Sequence, residues 1–297
     1  MRVRPERAVA RAVQDGGSVD AAGSTSSPTV IEPPRAWEMP GLKEIWEHRE
    51  LLYFLAWRDI KVRYKQTVIG AAWAILQPFL TMVVFSLIFG GLLAVPSDGV
   101  PYPVFSYAAL LPWTFFASGL THASNSLVHS SDLVSKIYFP RLILPLAAIL
   151  APAVDFALAF IVLLAMLMFY GIVPGLVLVT LPLFLFLALL TVLALGLWLS
   201  ALNVKYRDIG YVVPFLIQFL LFVTPVAYPS TIIPAEWRGL YGLNPMAGVV
   251  DGFRWALLGS DSMPTDTILL SFVGVLVLLV SGVFYFRRVE AEFADVV

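Results

Sequence analysis

Residues 142–204 read LILPLAAILAPAVDFALAFIVLLAMLMFYGIVPGLVLVTLPLFLFLALLTVLALGLWLSALNV, with one formal charge, Asp155. A membrane-spanning helix needs about 20 apolar residues to cross roughly 30 Å of hydrocarbon. The stretch is therefore long enough for two spans, and Val173-Pro174-Gly175 is the break between them. Working outward, residues 66–95, 100–131, 209–235 and 267–286 contain no Asp, Glu, Lys or Arg. Six spans follow, at about 69–92, 105–128, 143–170, 176–201, 211–228 and 267–286. Pro78, Pro152, Pro182 and Pro214 fall inside them. Helix-interior prolines are tolerated in lipid where neighbouring helices satisfy the freed carbonyls.

Composition agrees. Of 297 residues, 59% are hydrophobic and 13% charged, against roughly 25% charged in soluble domains; mean hydropathy is +0.85. A soluble enzyme and a largely disordered chain are both excluded. The net charge of -1 offers no bulk attraction to nucleic acid. There is no cysteine, hence no disulfide, thiolate nucleophile or Cys-ligated metal. No G-x-x-x-x-G-K-[ST] phosphate loop and no H-E-x-x-H occur, and His48, His122 and His129 have no metal-ligand spacing. No catalytic residue, metal or cofactor is expected on this chain.

Lys and Arg counts orient the spans. With a cytoplasmic N-terminus, 17 of the 19 basic residues fall on the cytoplasmic side, and only Arg238 and Arg254 outside. Both termini are expected in the cytoplasm of a multi-pass membrane protein. Residues 1–36 are rich in Ala, Gly, Ser, Thr, Pro and Arg, and read as a disordered tail. Residues 40–66 read as an interfacial amphipathic helix: Leu42, Trp46, Arg49, Tyr53, Trp57, Ile60 and Tyr64 recur at steps of three or four. Leu51 and Leu55 break that stripe. Residues 67–290 form the transmembrane domain, and 287–297 a cytoplasmic C-terminus. Between spans five and six, the short apolar runs near 236–241 and 245–258 flank Asn244-Pro245 and read as a re-entrant helical pair. The fold class is all-α integral membrane: six spans, an N-terminal interfacial helix and this re-entrant pair.

Few residues carry chemistry. Asp155 is a lone intramembrane carboxylate, read either as a helix–helix contact or as a substrate or ion contact. His122 and His129, seven apart, share a face. The aromatics Trp73, Phe79 and Phe85 of span one, and Phe215, Phe219, Phe222 and Tyr228 of span five, fit lipid-facing packing or a path on which sugar C–H faces stack. The loop 129–141, with Asp132, Lys136, Ile137, Tyr138, Phe139, Pro140 and Arg141, mixes apolar and charged residues as a docking surface does. In 229–262, Arg254 near the outer interface needs an acceptor, and Asp251, three residues earlier, is the expected partner.

Five motifs occur in order across residues 40–290. Trp57-Arg58-Asp59-Ile60-Lys61-Val62-Arg63-Tyr64-Lys65-Gln66-Thr67 leads into Gly70-Ala71-Ala72-Trp73 and Gln77-Pro78. Lys136-Ile137-Tyr138-Phe139-Pro140-Arg141, Asn203-Val204-Lys205-Tyr206-Arg207-Asp208, Pro225-Val226-Ala227-Tyr228-Pro229 and Leu243-Asn244-Pro245-Met246 with Arg254 follow. Through them the chain resembles the transmembrane (permease) subunit of ABC-2 type polysaccharide exporters, which move O-antigen, teichoic acid, capsule or related lipid-linked glycans. The resemblance implies a homodimer with two ABC ATPase subunits on the cytoplasmic side, which carry the ATP and Mg. It implies a glycan channel between the copies lined by the first and fifth spans, and outer gate helices that would include Asn244, Pro245, Asp251 and Arg254. An ABC-2 drug or lipid exporter is the alternative within transport. An integral-membrane glycosyl- or acyltransferase is the alternative of another class, and would need a cluster of Asp, Glu or His at a membrane face, which this chain lacks.

Overall fold

A computed structural model describes residues 42–65, 70–259, 265–290 and 293. The expected tail 1–36, Gln66-Thr67 of the first motif, residues 260–262 and most of the C-terminus 287–297 lie outside the described residues. Every regular element among the described residues is helical. In chain order these are α1 (Leu42–Glu47), α2 (Arg49–Lys65), α3 (Ala72–Phe85, continued by a π-helical turn Ser86–Leu92), α4 (Tyr102–His129) and α5 (Ser131–Lys136). Then come α6 (Ile143–Phe169), α7 (Leu181–Lys205, preceded by the 3-10 turn Leu176–Thr180), α8 (Ile209–Val223), α9 (Ala235–Gly242), α10 (Pro245–Leu258) and α11 (Thr265–Glu290).

Among the described residues, five helices are long and apolar enough to cross a membrane: Ala72–Leu92, Tyr102–His129, Ile143–Phe169, Leu176–Lys205 and Thr265–Glu290. The fifth expected span is shorter than its apolar run. α8 has 15 residues, about 22 Å of helix, and stops at Val223 rather than 228. Thr224 is extended, at φ -92 and ψ 143, because the residue before a proline is driven out of the helical region. Pro78, Pro152 and Pro214 lie inside helices as expected. Pro182 instead opens α7, where its missing N–H costs nothing.

α4 is the axis: 78% of its apolar stretch is buried, against 11% to 28% in the other four spans. It packs on α6, α7, α3, α8 and α10. Small residues bring helices close, as expected where no hydrophobic force separates helix from lipid. A Cβ on Gly196 of α7 would lie 2.8 Å from Ala123 of α4, and one on Gly252 of α10 would lie 2.2 Å from the Phe184 ring. A second apolar cluster joins Leu55 of α2 to Leu127, Val134, Phe139, Leu142, Val204, Phe286 and Phe293.

The amphipathic segment is two helices with a turn at His48. Its two faces differ in burial. Leu55 and Ala56 are buried and Leu51 and Leu52 half-buried, whereas Trp46, Tyr53 and Trp57 are exposed. The protein-facing row is Leu52, Leu55, Ala56, Asp59 and Arg63, which also falls at steps of three and four. Of the two leucines that broke the aromatic stripe, Leu55 belongs to this second face and half-buried Leu51 borders it. The pair α9–α10 is no free loop: α10 is buried from Met246 to Arg254 and packs on α11, α4 and α7.

Candidate functional site

A cleft of about 990 Å³ opens between α3, α4, α6 and α8, with the end of α2 as its floor. Trp73, Gln77 and Thr81 line it from α3; Trp113, Ser118, Thr121 and His122 from α4; Asp155 and Phe156 from α6; Ile217 and Leu221 from α8. On the floor Arg63 forms an ion pair with Asp155, and the Tyr64 hydroxyl donates to the same carboxylate. Arg63 also donates through Nη1 to His122 Nε2 at 2.9 Å and through Nη2 to Ser118 at 3.4 Å. An acceptor Nε2 means that the ring is neutral. Burial, then the bond to Asp155, push the Tyr64 hydroxyl above its ordinary range, which keeps it a donor. Asp155 is thus tied to α2, and His122 to Arg63 rather than to His129.

Of the expected path-lining aromatics, the cleft holds Trp73. Phe215, Phe219 and Phe222 stand exposed on α8, and Phe79 on α3, outside it. Phe85 turns inward: it packs against the main core and edge-on to Phe89, with ring centroids 5.3 Å apart. Tyr228 lies beyond α8, where its hydroxyl donates to the Phe222 carbonyl at 2.9 Å.

The short loop holds a correction. Ile137 and Tyr138 are exposed, at 56% and 74%, but Phe139 is 6% exposed and packs with Leu55, Val134 and Phe293. An extended Ile137 ends α5, and alternation along the extended chain sends Tyr138 and Phe139 to opposite sides. Pro140 does not stop the loop helix, since α5 ends at Lys136. Arg141 is no rim residue: its guanidinium donates to the Glu290 carbonyl, its N–H donates to Glu290 Oε1 at 3.2 Å, and it lies 5.8 Å from the Phe293 ring. Arg287 extends this network to Glu290 at 3.3 Å and to Glu44 of α1 at 3.4 Å. On α5, Lys136 donates to Asp132 at 2.7 Å and holds its carboxyl below the usual range.

At the α10 segment, Asn244 caps the helix. Its side-chain oxygen accepts from the Met246 N–H at 3.1 Å, its amide donates to Thr224 at 2.9 Å, and Pro245 occupies the first turn. Arg254 does not pair with Asp251 as expected. It donates to the carbonyls of Phe105 at 3.3 Å, Pro225 at 2.5 Å, Val226 at 2.7 Å and Tyr228 at 3.1 Å, with its guanidinium 3.6 Å from the Phe105 ring centre. The chain after α8 is stapled where it cannot be helical. Burial lowers the Arg254 pKa to about 10, so it stays charged. Asp251 is 6% exposed, its Oδ2 has no hydrogen-bond partner, and burial, partly offset by Arg254, raises it to about 6.

Arg63, Tyr64 and Glu290 are the residues that sequence reasoning missed. The signal for Arg63 was the Leu52–Leu55–Ala56 row, which continues to it; Tyr64 ends the aromatic stripe, where nothing marked it as a partner of Asp155. For Glu290 there was none, because its partner lies 149 residues away.

Residues 50–258 match the ABC-2 type transporter family. The chain is 32% identical over 260 residues to the O-antigen export system permease protein RfbA of Myxococcus xanthus, covering 86% of this chain and 98% of that protein. An RfbA of Klebsiella pneumoniae is 27% identical over 83% of this chain and 95% of its own. The polysialic acid transport protein KpsM of Escherichia coli is 26% identical over 79% and 92%.

Proposed function

This chain belongs to the ABC-2 type transporter family, and from that premise we propose that it is the membrane-spanning subunit of an ATP-driven exporter. Its cargo is a lipid-linked polysaccharide, moved from the cytoplasm to the outer side of the plasma membrane. The observation that carries this reading is the near end-to-end match, 98% of its length, to an O-antigen export permease. The chain works as two copies with two ABC ATPase subunits, which hold the ATP and Mg; both termini lie in the cytoplasm. Exposed Ile137 and Tyr138 meet the ATPase. Phe139, Pro140 and Arg141 seat that contact from within, and Asp132 and Lys136 flank it. Trp73, Phe79, Phe85, Phe215, Phe219, Phe222 and Tyr228 face the glycan. Asn244, Pro245, Asp251 and Arg254 build the outer gate, and α9–α10 dips into the outer leaflet.

Deleting the coding sequence from its bacterium tests this. Surface polysaccharide disappears while lipid-linked glycan accumulates inside, and the full chain restores export only with its ATPase. Unchanged surface polysaccharide in the deletion strain overturns the reading.

A further inference from the structure

The cleft floor is electrically spent. Arg63 is paired with Asp155, whose carboxylate also accepts from Tyr64, and the two side chains keep 33% and 16% of their exposure. His122 accepts from Arg63 and is neutral. Among the described lining residues, Arg63 and Asp155 are the two with formal charge. What remains is neutral hydroxyls and an amide, at Gln77, Thr81, Thr114, Ser118 and Thr121, beside the rings of Trp73 and Trp113.

Resting on the glycan-export reading above, we propose that this cleft selects uncharged sugar residues over glycans that carry a carboxylate on each residue. A neutral pyranose presents hydroxyls that exchange hydrogen bonds with Thr, Ser, Gln and the Arg63–Asp155 pair, and C–H faces that lie against indole. A polyanionic segment must shed water from its carboxylates in a partly dry cavity whose described charges already neutralise each other, with no unspent cation to offset the cost. An uncompensated charge taken out of water is rejected more strongly than a neutral group of the same shape. The same balance suits passage, since a neutral chain finds many weak contacts and no ionic trap.

Charge, unlike fold, is changed by single substitutions. Asp155→Asn frees the Arg63 guanidinium. Gln77→Lys adds a cation on an exposed position of the cleft wall while leaving the floor pair intact, and so covers the case in which Asp155→Asn fails to fold. The test uses the full chain purified with its ATPase in lipid nanodiscs. It is titrated calorimetrically with a neutral N-acetylglucosamine oligomer and with an N-acetylneuraminic acid oligomer of equal length, at low and high salt. The wild type binds the neutral oligomer at least about tenfold more tightly, and both variants narrow or reverse that ratio at low salt. Equal or tighter binding of the acidic oligomer by the wild type overturns the inference, as does a ratio unmoved in both variants. If neither oligomer binds the wild type while cells still export glycan, the inference falls and the export reading stands. If deletion of the chain leaves surface glycan intact, the export reading falls with it.

Discussion

Arg254 shows how one side chain fixes a segment that has no secondary structure of its own. Its planar fork reaches four carbonyls on two stretches of chain, and its face covers Phe105. A lysine keeps the charge but has neither fork nor face. Arg254→Lys is expected to lose about 3 kcal/mol or more of stability, read as a lower Tm of the purified protein, and to leave residues 224–228 more open to proteolysis. Asp251 carries a pH signature. Its folded pKa, about 6, lies above the ordinary 3.8, so the folded chain holds this proton more tightly than the unfolded one. Its stabilising share is complete below pH 3.8 and is lost as pH rises through about 6. Tm measured from pH 4 to 7 should fall more steeply in wild type than in Asp251→Asn; parallel curves refute the assignment. The sequence placed Arg254 in the right segment but chose the wrong partner. The i, i+3 rule describes an exposed helix surface, whereas this helix is buried and bare carbonyls from another stretch lie closer.

Among the elements, α5 and the three residues after it divide labour that sequence alone read as shared. Tyr138 is exposed and Phe139 buried, so two single substitutions separate docking from folding. Tyr138→Ala should leave Tm unchanged and weaken co-purification with the ATPase, as loss of an aromatic anchor does. Phe139→Ala should cost about 3–5 kcal/mol of stability, since it empties a packed site, and Tm reads that directly. If both leave ATPase association untouched, coupling enters elsewhere, with α2 the next candidate because its Arg63 and Tyr64 tie it to Asp155. Most element boundaries were legible, since uncharged length marks a span whatever it packs against. α8 ended early for a reason also present in the sequence: Thr224 precedes Pro225, a local backbone constraint that hydropathy does not register. The protein-facing side of α2 was not legible for a different reason. Both stripes have helical period, and only packing against α6 shows which one is inside.

At the scale of the whole molecule, the outward surfaces of the long helices are not alike. On α6, exposed large residues are mostly aliphatic: Leu150, Ile161, Leu164 and Met168, with Phe169 and Tyr170 at the end. On α8, Tyr211, Phe215, Phe219 and Phe222 form one exposed stripe at steps of four, four and three, with Gln218 beside it, and Val213 is the one buried residue. Lipid tails need no such stripe. An aromatic row with an amide beside it suits a surface where sugars stack and slide, and on the proposed reading that surface faces a second copy across the glycan path. The chain has no cysteine, so a single introduced thiol reports unambiguously. Phe215→Cys, 70% exposed on α8, should yield a disulfide-linked dimer in oxidised membranes, while Phe169→Cys, 83% exposed on α6, should not. Phe219→Ala with Phe222→Ala should then slow glycan export severalfold, because each lost ring removes about 1 kcal/mol of stacking from the moving chain, while the amount of protein in the membrane stays constant. Export at the wild-type rate in the double variant, or cross-linking at 169 as efficient as at 215, removes α8 from the path and makes the aromatic stripe a lipid-facing one.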